Sequence, residues 1–148
     1  MDGSVASGYF PYGRRVAASV DGRRAQESLA DGSTSPMAGQ DGNGATAVIA
    51  SVGKITPRSP LLLKQKFLPQ FLEGENKKLF ASYLRTWADM GAYHVQFNVV
   101  DSKTLREAQL HPEKYTDLIV RVAGYSAYFV DLSKGLQNNI ISRSTQSF

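Results

Sequence analysis

Apolar and polar positions change rhythm several times along this chain, and each change predicts an element. Tyr93 to Val100 alternates cleanly, with Tyr93, Val95, Phe97 and Val99 pointing one way and His94, Gln96 and Asn98 the other, as in a strand. From Asn76 onward Leu79, Phe80, Tyr83, Leu84 and Trp87 recur at three and four residues, the stripe of a helix that Gly91 ends. The apolar run Ala47 to Val52, closed by Gly53, predicts a first strand. Pro57, Pro60 and Pro69 restrict the stretch after it, although Leu61, Leu62 and Leu63 are headed for burial. Past the alternating strand, Asp101, Ser102 or Thr104 can cap a helix, and Thr104 with Glu107 stands at capping-box spacing. His111-Pro112 stops that helix, and Pro112 can open a short one through Tyr115. Leu118 to Val122 predicts an apolar strand interrupted by Arg121. Gly124 breaks it, and Tyr125 to Val130 is extended again. Ser133 starts a last helix carrying Leu136 and Ile140, and the tail from Arg143 to Phe148 is short and polar.

The first 44 residues have neither period. Nine of the 13 glycines fall within the first 53 positions, and Asp21-Gly22, Asp31-Gly32 and Asp41-Gly42 mark turns about every ten residues. A loop this long is uncommon inside a compact domain, so it is either disordered in isolation or held down by surrounding protein. The order of loop, strand, helix, strand, helix, strand, glycine turn, strand and helix defines an α/β pattern that looks like the end of something larger.

Composition narrows the classes. At 148 residues, 42% hydrophobic and 20% charged, the chain suits one globular domain. No apolar run reaches the ~20 residues of a membrane span, and the start has no signal-peptide pattern. A cytoplasmic protein with no membrane partner is the expectation. The net charge of +4 is modest, and the Arg14-Arg15 and Arg23-Arg24 pairs are interspersed with Asp21, Glu27 and Asp31, so no nucleic-acid footprint emerges. There is no cysteine, which excludes disulfides, thiolate metal sites and thiyl chemistry supplied from within the chain.

Few residues suggest chemistry on their own. Gly39 to Gly44 is glycine-rich but leads into the apolar run read as a strand, where a dinucleotide fingerprint needs a helix N-terminus. His94 and His111 are 17 residues apart without ligand-spaced carboxylates, so no metal site is expected. His94, Gln96 and Asn98 either line a polar interior or form a solvated sheet face. Arg121 either pairs with a carboxylate, holds a turn through carbonyls, or lies in solvent on an edge strand. Gly124, read structurally, allows a positive φ or a close backbone approach.

The segment Ile119-Val120-Arg121-Val122-Ala123-Gly124-Tyr125-Ser126-Ala127 resembles, residue for residue, the radical-site signature of the glycyl radical enzymes. Other stretches fit that family's C-terminal region in order: Asp21 to Arg24, Leu29 to Ser33, Thr46 to Val48, His94 to Asp101, Leu105 to Gln109, His111 to Tyr115, and Ile140 to Arg143. The resemblance runs from about Arg14 to the end and is greater to the diol dehydratase, choline trimethylamine-lyase and isethionate lyase branch than to pyruvate formate-lyase.

That resemblance implies a fold and a function. The fold is the C-terminal portion of a ten-stranded α/β barrel, with residues 1–45 a Gly/Ser-rich loop region from the preceding barrel domain and residues 46–148 the glycine radical domain. Gly124 is implied as the radical glycine. Its α-hydrogen is removed by an activating enzyme that uses S-adenosylmethionine and a [4Fe–4S] cluster, and no cofactor is bound by this chain itself. The radical is flanked by an electron-donating nitrogen and an electron-withdrawing carbonyl and favours planarity, which a side chain would crowd. Arg121 and Tyr125 are implied as supporting residues, with Tyr125, Tyr128 and Phe129 shielding the glycine from oxygen. The implied partners are the activating enzyme and the remainder of the barrel, and a homodimer of the full enzyme is compatible.

The chain departs from the family pattern by lacking the cysteine that forms the substrate-attacking thiyl and the glutamate that follows it. The stretch from Gly53 to Leu63 is also compressed. The expected role is therefore storage of a radical for a lyase or dehydratase, with no catalysis by this chain alone. Two alternatives stand beside it: a stand-alone glycyl radical cofactor that repairs an oxygen-cleaved partner, and a fragment of a formate acetyltransferase-type enzyme.

Overall fold

The computed structural model describes residues 8–55 and 61–146. Pro57 and Pro60, much of the compressed stretch before Leu63, the first seven residues of the glycine-rich region and the last two of the tail lie outside the described residues.

The described chain runs α1 (Tyr9–Gly13), α2 (Ala45–Val52), β1 (Leu62–Phe67), α3 (Asn76–Asp89), β2 (His94–Val99), α4 (Ser102–Leu110), β3 (Ile119–Arg121), β4 (Ser126–Tyr128), α5 (Lys134–Ser142) and β5 (Thr145–Gln146). It is a mixed α/β structure. One sheet has the order β2-β1-β5 and is parallel throughout, and β3 and β4 form a separate antiparallel hairpin.

The predicted strand at Ala47–Val52 is a helix instead. Ala45, Val48, Ile49 and Val52 are its buried residues, spaced at i, i+3, i+4 and i+7 on one face, and Gly44 leads into it with φ +89°. Their β-branched character favours a strand locally, but packing against the sheet decides the outcome. The stripe of α3 is present in a narrower form. Tyr83 is buried and Phe80, Leu84 and Trp87 pack against the same cluster, while Leu79 is exposed. Phe67, Phe80 and Phe97 meet edge to face with ring centroids 5.3–5.7 Å apart, which locks α3 over β1 and β2.

A second core lies between α4, α5 and the hairpin, built from Val100, Leu105, Ala108, Val120, Val122, Phe129, Leu136 and Ile140. Asp101 caps α4 by accepting a hydrogen bond from the Thr104 N–H at 2.7 Å. Thr104 therefore sits inside the helix, and Glu107 accepts from the Tyr115 hydroxyl instead of closing a capping box. The tail contributes a short strand, because β5 pairs with β1.

The described part of the glycine-rich N-terminal region has little regular structure, yet it is tied to the rest of the chain. Arg23 is buried, and its guanidinium donates to the carbonyls of Ala17, Arg24 and Glu27, knitting the loop to itself. Asp31 bridges Lys64 and Arg143, and Asp41 accepts hydrogen bonds from Ser144 and Gln146.

Candidate functional site

The polar side of β2 is the better-buried side. Gln96 and Asn98 are 8% and 7% exposed, whereas Tyr93 is 61% and Val99 39% exposed. His94 is exposed, so of the three polar residues only Gln96 and Asn98 line an interior. The parallel register aligns Gln96 with Lys64 and Asn98 with Lys66, so two lysines share that interior face.

The polar partners of these lysines lie far away in sequence. Lys64 Nζ lies 3.3 Å from the Asp31 carboxylate, which also holds Arg143 Nη1 at 2.7 Å. Lys66 donates to Ser102 Oγ at 3.0 Å and to the Ile141 carbonyl at 3.2 Å. Burial, helped by the neighbouring Arg143 charge, lowers both lysines from the usual 10.5 to about 8. No local pattern announces this cluster. Asp31 and Arg143 stood out only within the short stretches at Leu29–Ser33 and Ile140–Arg143.

Beyond this polar layer stands the hairpin that carries Gly124. Its register is Ile119 opposite Tyr128, Val120 opposite Ala127, and Arg121 opposite Ser126. The neck closes through a hydrogen bond from the Val122 N–H to the Tyr125 carbonyl at 2.9 Å, and its base through one from the Phe129 N–H to the Leu118 carbonyl at 2.7 Å. Buried Val120, Val122 and Phe129 root the stem in the second core, and Gln137 holds the Phe129 carbonyl at 2.9 Å.

Gly124 is the third of the four turn residues Val122 to Tyr125 and has φ +80°, a conformation that selects glycine there. Space does not select it, because a Cβ built at Gly124 meets nothing within 4 Å. The tip is exposed. The expected shield is thus only partly present. Tyr125 packs against the second core and Phe129 is fully buried beneath the hairpin, but Tyr128 is 49% exposed, and neither Tyr128 nor Phe129 comes within 4 Å of a Cβ built at Gly124.

Arg121 meets neither a carboxylate nor a carbonyl. Its Nη1 donates across the hairpin to Ser126 Oγ at 3.1 Å. Its main chain is engaged by a residue that sequence reasoning left without a contact. Arg121 N–H donates to Asn98 Oδ1 at 2.7 Å, and Asn98 Nδ2 donates to the Arg121 carbonyl at 2.8 Å. His94 and His111 remain on separate elements, His111 lying beside Glu113 at 3.5 Å. Among the described residues no group of His, Asp or Glu is arranged to hold a metal ion, and no helix is long and apolar enough to cross a membrane.

What the geometry can do is present an α-carbon. A rooted stem places one main-chain CH2 at an exposed tip, with nothing beyond its two chain neighbours within 4 Å of a Cβ built there.

The comparisons with known proteins agree with that geometry. The family described as "Glycine radical" matches residues 30–130. The isethionate sulfite-lyase of Bilophila wadsworthia is 44% identical over 142 residues, which is 92% of this chain and 17% of that protein. The glycerol-bound B12-independent glycerol dehydratase from Clostridium butyricum superposes with a TM-score of 0.88 at 44% identity, covering 95% of this chain and 18% of that one. A Roseburia inulinivorans structure concerned with 1,2-propanediol dehydration gives 0.87 at 45% identity, covering 93% and 18%. The chain belongs to the glycyl radical enzyme family, on its dehydratase and lyase branch. It spans about a sixth of the length of the curated relatives it matches, and the thiyl cysteine that the family uses is not in it.

Proposed function

We propose that Gly124 stores the backbone radical of a glycyl radical lyase or dehydratase and passes it to a cysteine outside this chain. The observation that carries the reading is the placement of Gly124, at a positive φ on the bare tip of a rooted hairpin within the span matched by the family. Arg121 supports the turn by bridging to Ser126, and Tyr125 supports it by packing on the second core.

In this reading an activating enzyme with S-adenosylmethionine and a [4Fe–4S] cluster removes the Gly124 α-hydrogen in the cytoplasm. Residues 46–148 form the glycine radical domain, and residues 1–45 belong to the barrel that precedes it. The contacts of Asp31 with Arg143 and of Tyr9 with Asn139 then join the two parts. The remaining strands of a ten-stranded barrel pair around this portion and supply the cysteine and the substrate-selecting residues. The named relatives act on isethionate and glycerol, and the reaction class proposed for the whole enzyme is radical cleavage of a carbon–heteroatom or carbon–carbon bond in a small polar substrate.

The test is anaerobic incubation with an activating enzyme of this family, followed by electron paramagnetic resonance. A doublet from the one remaining α-hydrogen is expected, and it should collapse when the protein is grown on α-deuterated glycine. A signal that survives Gly124→Ala, or no signal when the missing barrel is co-supplied, overturns the reading.

A further inference from the structure

The hairpin has two edges, and only one is accounted for by strand pairing. Residues of β3 alternate along the strand: Leu118 and Val122 direct main-chain groups toward β4, as their bonds to Phe129 and Tyr125 require. Arg121 lies between and directs its N–H and C=O the other way. No strand receives them, because β2 and β3 belong to different sheets. Unserved, these two groups would form an open edge three residues before Gly124.

Asn98 fills that place. At neutral pH a carboxamide presents a neutral donor and an acceptor side by side, in the arrangement a neighbouring peptide unit would offer. Here it uses both, at 2.7 and 2.8 Å, on the two groups of one residue. Asn98 is 7% exposed and stands on β2, which is hydrogen-bonded along its length to β1. A two-point contact from a rigid strand fixes both translation and tilt of what it holds.

We propose that Asn98 is a positioning residue for the Gly124 turn, a latch that sets where the glycine α-carbon stands relative to the β1–β2 sheet. Its functional meaning rests on the reading of Gly124 as the radical glycine, but the latch itself is testable without it. Phe129, Val120 and Val122 anchor the hairpin by packing, which tolerates small slides. The Asn98 pair does not, because a shift along β2 breaks both hydrogen bonds together.

The experiment is nuclear magnetic resonance on the full 148-residue chain and two variants, reading amide exchange and the Arg121 carbonyl carbon shift. In Asn98→Leu the Arg121 and Val122 amides should exchange at least about tenfold faster, on the order expected for losing one to two buried hydrogen bonds. The Leu105 and Gln137 amides, bonded to the Asp101 and Ser133 carbonyls at the starts of α4 and α5, should stay close to their original rates. In Asn98→Asp the carboxylate still accepts from Arg121 N–H, so that amide stays slow, while the Arg121 carbonyl loses its donor and its carbon shift moves. As pH falls through the titration of the new carboxyl group, the protonated acid regains a donor and the shift should return. The unsubstituted chain should show no such step. A purely structural role gives uniform acceleration of all four amides and no titrating carbonyl shift, and that result overturns the latch. So does an Arg121 amide that exchanges freely in the unsubstituted chain. If Asn98→Leu fails to fold, Asn98→Asp and the unsubstituted chain still decide. A glycine doublet with a fast Arg121 amide refutes the latch alone, and a slow Arg121 amide without the doublet refutes the radical reading alone.

Discussion

Replacing Lys64 by methionine should stabilise the folded chain at neutral pH, although it deletes an ion pair. Lys64 has a side chain 3% exposed, and burial, with Arg143 beside it, brings its ammonium from 10.5 to about 8. That fall corresponds to ~3 kcal/mol disfavouring the charged form in the folded state. Asp31 does not recover it, because its carboxylate is shared with Arg143, which approaches closer at 2.7 Å. Methionine fills similar volume without a charge and leaves the Asp31–Arg143 pair in place. The expected gain near pH 7 is about 1–3 kcal/mol. The pH dependence supplies the sign. An unfolded lysine keeps its proton to 10.5, whereas folded Lys64 releases it near 8, so between these values the unfolded state binds more protons. Stability of the unsubstituted chain therefore rises with pH through that window. Lys66, also lowered to about 8, contributes a similar rise, so Lys64→Met should roughly halve the slope. Tyr9, pushed up to about 12, opposes the rise above pH 10, which sets the useful upper limit. Urea unfolding followed by circular dichroism between about pH 7 and pH 10 measures both quantities. Loss of stability in Lys64→Met together with a flat profile for the unsubstituted chain would refute the reasoning.

Three further substitutions have definite expectations. Asp31→Asn should have the opposite sign to Lys64→Met and cost about 3 kcal/mol in the same urea experiment, because two buried cations lose their common anion. Asp101→Ala removes the cap bond to Thr104 and should cost about 1 kcal/mol, with faster amide exchange confined to the first turn of α4. Gly124→Ala should cost only about 1 kcal/mol, from the positive φ alone, since its methyl meets nothing, yet it should abolish the glycine doublet.

Helix α3, strand β2, the cap region of α4, the hairpin and α5 were legible because each is written in neighbouring residues. Periods of 3.6 and 2, a capping aspartate and a glycine at a turn act over four to ten positions. The helix at Ala45–Val52 was missed although its i, i+3, i+4, i+7 face was in the sequence. The β-branched Val48, Ile49 and Val52 pulled the local reading toward a strand, and burial against Leu63 and Phe67 reversed it. Strand β1 was illegible for another reason. Lys64, Gln65 and Lys66 are three consecutive polar residues inside a buried strand, made tolerable by Asp31, Tyr83, Ser102 and Ile141. Those partners lie from 18 to 75 residues away, beyond any window of pattern reading. The same distance hid the Asn98 contact with Arg121, 23 residues on. The candidate glycine was found by resemblance of its segment. Its exposure was not, because exposure depends on what surrounds the hairpin.

That exposure leads to a last prediction. On the proposed reading, a long-lived radical would sit on a tip where a built Cβ has no neighbour within 4 Å, with Ile119 and Tyr128 on the same hairpin 57% and 49% exposed. The openness that lets an activating enzyme reach the α-hydrogen also lets oxygen reach the carbon. Two of the three aromatic residues expected to shield it are engaged in packing: Phe129 lies beneath the hairpin, and Tyr125 packs on the second core. On that reading protection comes from the rest of the proposed barrel, and the exposed apolar residues flanking the stem are the surface it would cover. Air admitted to the activated chain alone should extinguish the doublet rapidly and cut the backbone at Gly124, releasing a C-terminal piece that begins near Tyr125 and is identifiable by mass spectrometry. Co-supplying the missing barrel before admitting air should slow both losses together. Signal loss and cleavage as slow without the barrel as with it would show that the tip finds its shelter within these residues.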